Sequence, residues 1–428
     1  MTFHDAVDKE EYDRFVSSHP QKAHFMQSAA WGEFNMTERG LTPHYVGLRD
    51  DSGALVAAAL LLERKPLLLP PYLYSPRGFV IDFFDRELLN RFCEEITAFC
   101  RSKKVMFLKI DPDIELHTIT DDGTYTGGNG VDNSFLIEEL KQLGFIHLGF
   151  NNEFERRQPR FTFRIDLQRD KIDILDSIRG NVLKNVKKGE KNYDTGIYIG
   201  DSSDVDNLYR LIGETSIRDD FYAYSLRYYR NFYEILNRYG MVKLYMGKTY
   251  IQGTIEKLMI QLAEVQKLQD SYTKPSRIAE AEITKQRICD EIEKFNTYYD
   301  RYGAEAVTNA HLVVRYAGKS WAVHAGSSND MGETFLNNRI YLYKILDQKD
   351  CGAEFLDQFG TVGAWKESPH RTLHEFKRQF GGRYIEFIGE FDLVIRRFWY
   401  GIYTKLLPRY RNLSFDIRAF IRRITGRA

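Results

Sequence analysis

At 428 residues the chain is longer than one hydrophobic core usually organises, so two or three domains are expected. Apolar residues make up 43% and aromatics 14%, which excludes wholesale disorder. Lys plus Arg and Asp plus Glu stand at 60 each, so the chain has no overall bias toward polyanions and any basic site is local.

The opening Met1-Thr2-Phe3-His4-Asp5, followed by Asp8-Lys9-Glu10-Glu11, has neither a basic start nor an apolar run, so no secretory signal is expected. A short helix is predicted from Glu11 to Ser18, then strands at Tyr45–Leu48 and Leu55–Leu62 around the turn Asp50-Asp51-Ser52-Gly53. No segment approaches the ~18 apolar residues of a membrane span; Leu67-Leu68-Leu69-Pro70-Pro71 is far too short. Leu89, Phe92, Ile96 and Phe99 recur at helical spacing and predict a helix over Leu88–Lys103. Phe107-Leu108-Lys109-Ile110 reads as a buried strand running into Asp111-Pro112. The glycine-rich stretch from Asp121 to Asn133 reads as a loop, without the lysine-serine helix opening of a phosphate-binding P-loop. Four cysteines (Cys93, Cys100, Cys289, Cys351) fit neither a disulfide framework nor a zinc motif, as expected in a reducing cytoplasm.

A second α/β unit begins at the alternating strand Phe161–Leu167. One helix is predicted from Ser177 to Lys191, where Lys184, Lys187, Lys188 and Lys191 are opposed only by Glu190. Such a stripe suits a phosphate backbone. A helix from Val205 to about Ser216, a Tyr-rich stretch and a strand at Val242–Met246 follow. Then the period changes. Ile251, Ile255, Leu258, Leu262, Val265, Gln269 and Tyr272 form one heptad seam; Ile278, Ala281, Lys285, Ile288, Ile292, Phe295 and Tyr299 form another beyond Pro275. Two seams joined by a proline turn predict an antiparallel helical hairpin, inserted because the strand pattern resumes at Ala310–Tyr316. It has seven Lys or Arg against nine Asp or Glu, so net charge does not favour it as an RNA clamp.

From Arg396 to Ala428 nine basic residues stand against one acid, Asp416, with aromatic and aliphatic residues between them. A basic amphipathic helix of this kind suits an anionic membrane or nucleic acid. Just before it lies His374-Glu375-Phe376-Lys377-Arg378-Gln379-Phe380-Gly381-Gly382. A lysine there either holds a fixed charge at the edge of a site, where it stabilises a developing oxyanion, or is a surface lysine flanked by core aromatics.

Six collinear segments resemble the FemABX family, transferases that use aminoacyl-tRNA to extend the peptidoglycan stem peptide. They are Gln27-Ser28-Ala29-Ala30-Trp31-Gly32, Ser75-Pro76-Arg77-Gly78, Lys109-Ile110-Asp111-Pro112, Thr215-Ser216-Ile217-Arg218-Asp219-Asp220-Phe221, the hairpin, and Phe376-Lys377 with Gly389. The arm and length resemble the MurM-like branch, which acts on lipid-linked precursor. The resemblance implies a mixed α/β (α+β) fold of two tandem acetyltransferase-like (GNAT-like) domains with an inserted antiparallel coiled-coil hairpin. It would divide the chain into 1–160 (completed by about 386–410), 161–385 carrying the hairpin at 251–300, and a basic tail at 396–428.

The implied activity is transfer of an amino acid of the Ser, Ala or Gly class to the stem-peptide amine, with aminoacyl-tRNA as co-substrate and no other cofactor. The implied catalytic residues are Lys377 as the cation at the oxyanion or the tRNA end, Phe376 beside the terminal adenosine, and Asp111 as the carboxylate that orients or deprotonates the amine. Asp111 also reads as a turn-capping residue before Pro112. Arg218 and Tyr222, expected on one helical face, would hold the precursor's diphosphate, and Lys184, Lys187, Lys188 and Lys191 the tRNA. Relatives often carry lysine four residues after the tryptophan; here it is Asn35, so the diphosphate site is weaker or differently built. The implied setting is cytoplasmic, peripheral at the inner face of the plasma membrane through the tail, with oligomeric state open. The alternatives are another acyltransferase on the same fold, or a non-catalytic coiled-coil adaptor on membranes or nucleic acid.

Overall fold

The computed structural model describes residues 1–128, 130–154 and 157–406. The expected tail beyond Leu406 lies outside them. The chain divides into two compact units: unit 1 takes residues 1–161 and returns from 385 onward, and unit 2 takes 162–384. In chain order the strands are β1 (Thr2–His4), β2 (Thr42–Arg49), β3 (Leu55–Arg64), β4 (Tyr72–Ser75), β5 (Phe107–Ile110), β6 (Phe145–His147) and β7 (Phe161–Asp166). They continue as β8 (Thr195–Gly200), β9 (Val242–Tyr250), β10 (Glu305–Tyr316), β11 (Lys319–Ser327), β12 (Phe355–Asp357), β13 (Arg383–Glu386) and β14 (Phe391–Val394).

Unit 1 is built on a seven-stranded sheet of order β1-β2-β3-β4-β5-β14-β6. Alternate residues of β3 (Ala57, Ala59 and Leu61) share one face with Leu73, Leu108 and Leu393. Helices α1 (Lys9–Ser18) and α2 (Ala29–Arg39) lie early in this unit, and α3 (Arg86–Ser102) and α4 (Phe135–Gln142) follow. The helical spacing on α3 puts Leu89, Phe92, Cys93, Ile96 and Cys100 into that core, and Asp85 caps its start by accepting from the Leu88 amide at 3.0 Å.

Unit 2 has a second sheet of order β13-β7-β12-β11-β10-β9-β8. Its helices are α5 (Lys171–Ser177), α6 (Gly180–Asn192), α7 (Val205–Arg218), α8 (Leu226–Arg238), α9 (Ile251–Ser271), α10 (Pro275–Tyr302), α11 (Leu336–Asp350) and α12 (Arg371–Arg378). Helices α9 and α10 form the hairpin. Tyr250 at the end of β9 pairs with Glu305 at the start of β10, so the arm grows out of the turn of an antiparallel strand pair. Arms of 21 and 28 residues reach about 30 and 40 Å. Pro275 sits in the first turn of α10, where its missing N–H costs nothing. Ile251, Ile255 and Leu258 pack against Ile288, Phe295 and Tyr298 at the base, and farther out Lys285 Nζ donates to Gln269 Oε1 at 3.0 Å. At the last heptad position Tyr298 takes the buried place expected of Tyr299, which is 41% exposed.

The fold class expected from the resemblance, two α/β units with an inserted helical hairpin, is the one found. Two local expectations change. Strand β7 is buried at Phe161, Thr162 and Phe163 in succession, because it lies inside the sheet between β13 and β12. The predicted helix Ser177–Lys191 is two helices: Ser177 closes α5, Arg179 is extended, and its amide donates to the Gln379 carbonyl at 2.9 Å. A tertiary hydrogen bond wins over helical propensity at that point.

Helix α7 lies directly on β11 at Gly326, where a Cβ would stand 2.4 Å from the Ile212 amide nitrogen and 2.5 Å from the Leu211 carbonyl carbon. Backbone meets backbone there, so the helix must move to admit a side chain. Gly326→Ala is expected to destabilise unit 2 by about 1–3 kcal/mol, the usual cost of overpacking, seen as a lower urea midpoint. An unchanged midpoint would mean that α7 shifts freely.

Candidate functional site

In α12 the helical turn brings His374 and Lys377 inward together, three residues apart. Lys377 is only 7% exposed, so it is a buried amine and does not stand at an open site edge as expected. Its Nζ donates to the carbonyls of Phe359 at 2.5 Å and Gly360 at 2.6 Å. Both of those residues have left-handed backbone, φ +52° and +70°, which turns successive carbonyls toward one point. Asp357 fixes that turn: it accepts from the Phe359 amide at 2.8 Å, Thr162 Oγ1 at 2.5 Å and Arg164 Nε at 2.8 Å. Gln358 Nε2 donates to the Lys377 and Gly381 carbonyls, tying turn to helix.

The glycine pair that ends α12 is required by space. At Gly382, φ +94°, a Cβ would lie 2.7 Å from the Arg164 carbonyl oxygen; at Gly381, 2.8 Å from Ser177 Oγ.

Burial pushes the Lys377 amine down to about 8, partly opposed by Asp357. An ammonium has three N–H donors, and the two carbonyls take two. Among the described residues the third has no acceptor. Phe376 is half-buried, its ring edge-on to Tyr341 at 5.0 Å and to Phe380 at 5.2 Å.

Composition gave no sign of another buried amine beside Lys377. Lys344 on α11 is fully buried, 3.3 Å from His311 Nδ1 and 3.3 Å over the Tyr341 ring. His311 Nε2 bonds Asn337 Oδ1 at 2.9 Å, so Nε2 is the protonated nitrogen and Nδ1 accepts from Lys344. Burial, then the charge of Lys377, holds the Lys344 amine well below its ordinary range. A lysine between Tyr343 and Ile345 reads as solvent-facing; only the packing of α11 shows otherwise.

Arg218 is the last residue of α7. Its guanidinium donates to Asn329 Oδ1 at 2.9 Å, Asp219 Oδ1 at 3.0 Å and Ser327 Oγ at 3.3 Å, with one side open. Tyr222 does not share its helical face. The helix stops at Arg218, Asp220 is left-handed at φ +51°, and the Phe221 amide returns to the Ser216 carbonyl at 3.1 Å. That is a Schellman end with aspartate where glycine is usual. Tyr222 is consequently on irregular chain and 99% exposed. Asn35 is buried in α2 and turns back, Nδ2 to the Trp31 carbonyl at 2.9 Å.

Lys187, Lys188 and Lys191 line one wall of an open cleft of about 490 Å³. The hairpin makes the other wall with Gln261, Glu264, Thr284 and Arg287. Lys184 does not line it. Arg287, which the heptad reading passed over, brings a fourth cation to the three lysines.

Asp111 belongs to unit 1; the other candidates belong to unit 2. Its carboxylate accepts from Tyr74 Oη at 2.7 Å and from the Arg77 amide at 2.6 Å, so both oxygens hold the Ser75–Gly78 turn. Burial pushes its pKa up to about 6, against the pull of Arg77.

The FemAB family profile matches residues 7–407. The chain is 26% identical to the lipid II:glycine glycyltransferase of Staphylococcus haemolyticus (strain JCSC1435), over 96% of this chain and 97% of that protein. It is also 26% identical to the lipid II:glycine glycyltransferase of Staphylococcus aureus (strain USA300), over 97% and 99%. The crystal structure of FemX superposes with a TM-score of 0.75 at 24% identity, covering 94% of this chain and 99% of that one.

Lys377 carries a pH signature. Its folded pKa, about 8, lies below the ordinary 10.5, so between those values the unfolded chain holds a proton that the folded chain lacks. Stability at this position therefore rises with pH across that window. Relative to Lys377→Met, wild type is expected to gain up to about 3 kcal/mol over it, measured by urea denaturation of both proteins at each pH. A constant difference would show an amine as well solvated folded as unfolded.

Proposed function

The chain belongs to the FemAB family, and on that premise we propose that it transfers an amino acid of the Ser, Ala or Gly class from aminoacyl-tRNA to the stem-peptide amine of lipid-linked peptidoglycan precursor. The near full-length relatives named lipid II:glycine glycyltransferase support the acceptor and the reaction class. The observation that carries the reading is the buried Lys377 amine, held by the Phe359 and Gly360 carbonyls with one N–H uncommitted among the described residues.

The chemistry asks little else of the protein. The donor ester is already activated. The amine attacks its carbonyl, a C–N bond forms, the ester C–O bond breaks, and the tRNA hydroxyl leaves with the proton the amine gives up. An oriented cation at the carbonyl oxygen stabilises the charge that develops there. On this reading Lys377 supplies that cation and Phe376 backs the terminal adenosine, while Asp111 takes the turn-capping role before Pro112. Arg218 would exchange Asp219 for the precursor's diphosphate, with Tyr222 reaching the same ligand from an exposed loop. No cofactor beyond the charged tRNA is called for. A lipid-linked acceptor sets the enzyme at the cytoplasmic membrane face, with the basic C-terminal segment toward the lipid.

Lys377→Met should lower kcat by roughly 100–1000-fold, the usual loss for one oxyanion donor, with charged tRNA and lipid-linked precursor as substrates. A rate within about threefold of wild type would remove Lys377 from the chemistry.

The basic cleft supports an RNA donor. Lys187→Glu with Lys191→Glu should weaken tRNA binding whatever its sequence and flatten the log affinity–log salt slope by about two, and Arg287→Ala by about one. If Arg287→Ala leaves the slope unchanged, the hairpin wall takes no part.

A further inference from the structure

The short apolar run Leu67-Leu68-Leu69, too brief to span a bilayer, forms the turn between β3 and β4 in unit 1. Leu67 is 89% and Leu68 90% exposed, side by side at the tip. The turn is closed by the Leu69 amide on the Pro66 carbonyl at 3.3 Å, and Leu68 is held at φ +65°, a conformation that a bulky side chain adopts at a cost. Exposing two leucines at a strained turn is unfavourable in water and needs a partner.

The same edge carries the chain's return. After β14 a short helix, α13 (Arg397–Gly401), runs into a π-helical turn at Ile402–Leu406. Leu69, Trp399, Tyr400 and Tyr403 all pack on one cluster of Tyr72, Tyr74, Met106 and Phe107. Tyr400 Oη is fixed to Asp392 Oδ2 at 2.9 Å. Beyond that packed layer Phe398 is 72% and Leu406 57% exposed. Exposed basic residues flank these segments in the chain: Arg64 and Lys65 before the leucines, Arg396, Arg397 and Lys405 on the returning segment. The nearby Glu63 is occupied by His44 at 2.8 Å and Lys65 at 3.1 Å.

We propose that this edge is a docking surface for an anionic lipid bilayer, with Leu67 and Leu68 entering the acyl boundary and the flanking basic residues meeting headgroup phosphates. Apolar tip, aromatic girdle and cationic flanks are what an interfacial surface requires. A protein groove would offer no reason for the flanking cations. The proposal deepens the membrane part of the reading above by giving the contact to a folded edge, so that the basic tail is not alone.

The test uses the full chain and vesicles without either substrate, so failure of the transfer chemistry leaves it standing. Phosphatidylcholine vesicles with and without phosphatidylglycerol are sedimented with wild type, Leu67→Ser/Leu68→Ser, Arg396→Glu/Arg397→Glu, and Leu268→Ser as a control for an exposed leucine on the hairpin. Wild type should bind only with phosphatidylglycerol present. The double serine variant should bind about 10–100-fold more weakly, and the charge reversal should lose the preference for anionic lipid. Leu268→Ser should bind as wild type. Because both leucines are exposed, their replacement should leave the melting temperature unchanged. Equal binding by wild type and the serine variant would overturn the proposal. So would wild-type self-association, seen by sedimentation without vesicles, that the serine variant abolishes; the turn would then be a contact between copies.

Discussion

A lysine taken out of water needs its charge solvated by something else, and around Lys377 that something is backbone. Removing one partner of a buried charge typically costs about 3–5 kcal/mol, so the carbonyls of Phe359 and Gly360 must stay where they are. They stay because Asp357 holds the turn through three donors, and because Gln358 ties the turn to α12. The glycine pair lets the end of α12 come against Arg164 and Ser177. Remove the amine and these features have no common purpose.

The buried Lys344 amine gives the arrangement its electrical character. Tyr341 is the joint: its ring stacks on Phe380 at 4.5 Å, meets Phe376 at 5.0 Å and His311 at 4.9 Å, and lies under Lys344. Two ammonium ions sharing one low-dielectric region repel, and burial together with the charge of Lys377 holds the Lys344 amine well below its ordinary range. Among the described residues Lys344 has no carboxylate partner, and it donates instead to the His311 imidazole. That arrangement is stable for an amine and costly for an ammonium. Lys377, by contrast, has two carbonyl acceptors for its charge.

What periodicity governs was legible in the sequence. Helix α3 and the two arms of the hairpin follow from apolar spacing, since each buries one stripe; β2 and β3 follow from the turn Asp50–Gly53 between two apolar runs, and β3 is buried on both faces from Ala57 to Leu62. What a distant partner decides was not. The break at Arg179 exists because its amide meets Gln379, two hundred positions along. The end of α7 at Arg218 depends on Asp220 taking a left-handed conformation that sequence tolerates without announcing. Among the site residues, the Phe376-Lys377 pair was visible as a pattern, but its burial was not, because lysine is assigned to the surface by default. Arg287 was invisible for a related reason: only folding the arm back beside α6 gives it company.

Charge on the hairpin illustrates why a net count misleads. The arm is slightly acidic overall, seven basic residues to nine acidic, and as a rod it would repel a phosphate backbone. The cleft meets the arm near mid-length, at Gln261–Val265 on α9 and Thr284–Ile288 on α10, and there Arg287 joins Lys187, Lys188 and Lys191, with Glu264 the lone carboxylate in the lining. The arm's own share of that lining is one cation and one carboxylate, so the positive charge of the cleft comes from α6, while Glu256, Asp290, Glu291, Glu293 and Asp300 lie between the cleft and the strands. On the proposed function those carboxylates keep an RNA off the base of the arm, so the insertion contributes a boundary as much as a contact. Specific placement of a large polyanion needs such a boundary, because phosphate attraction alone carries no register.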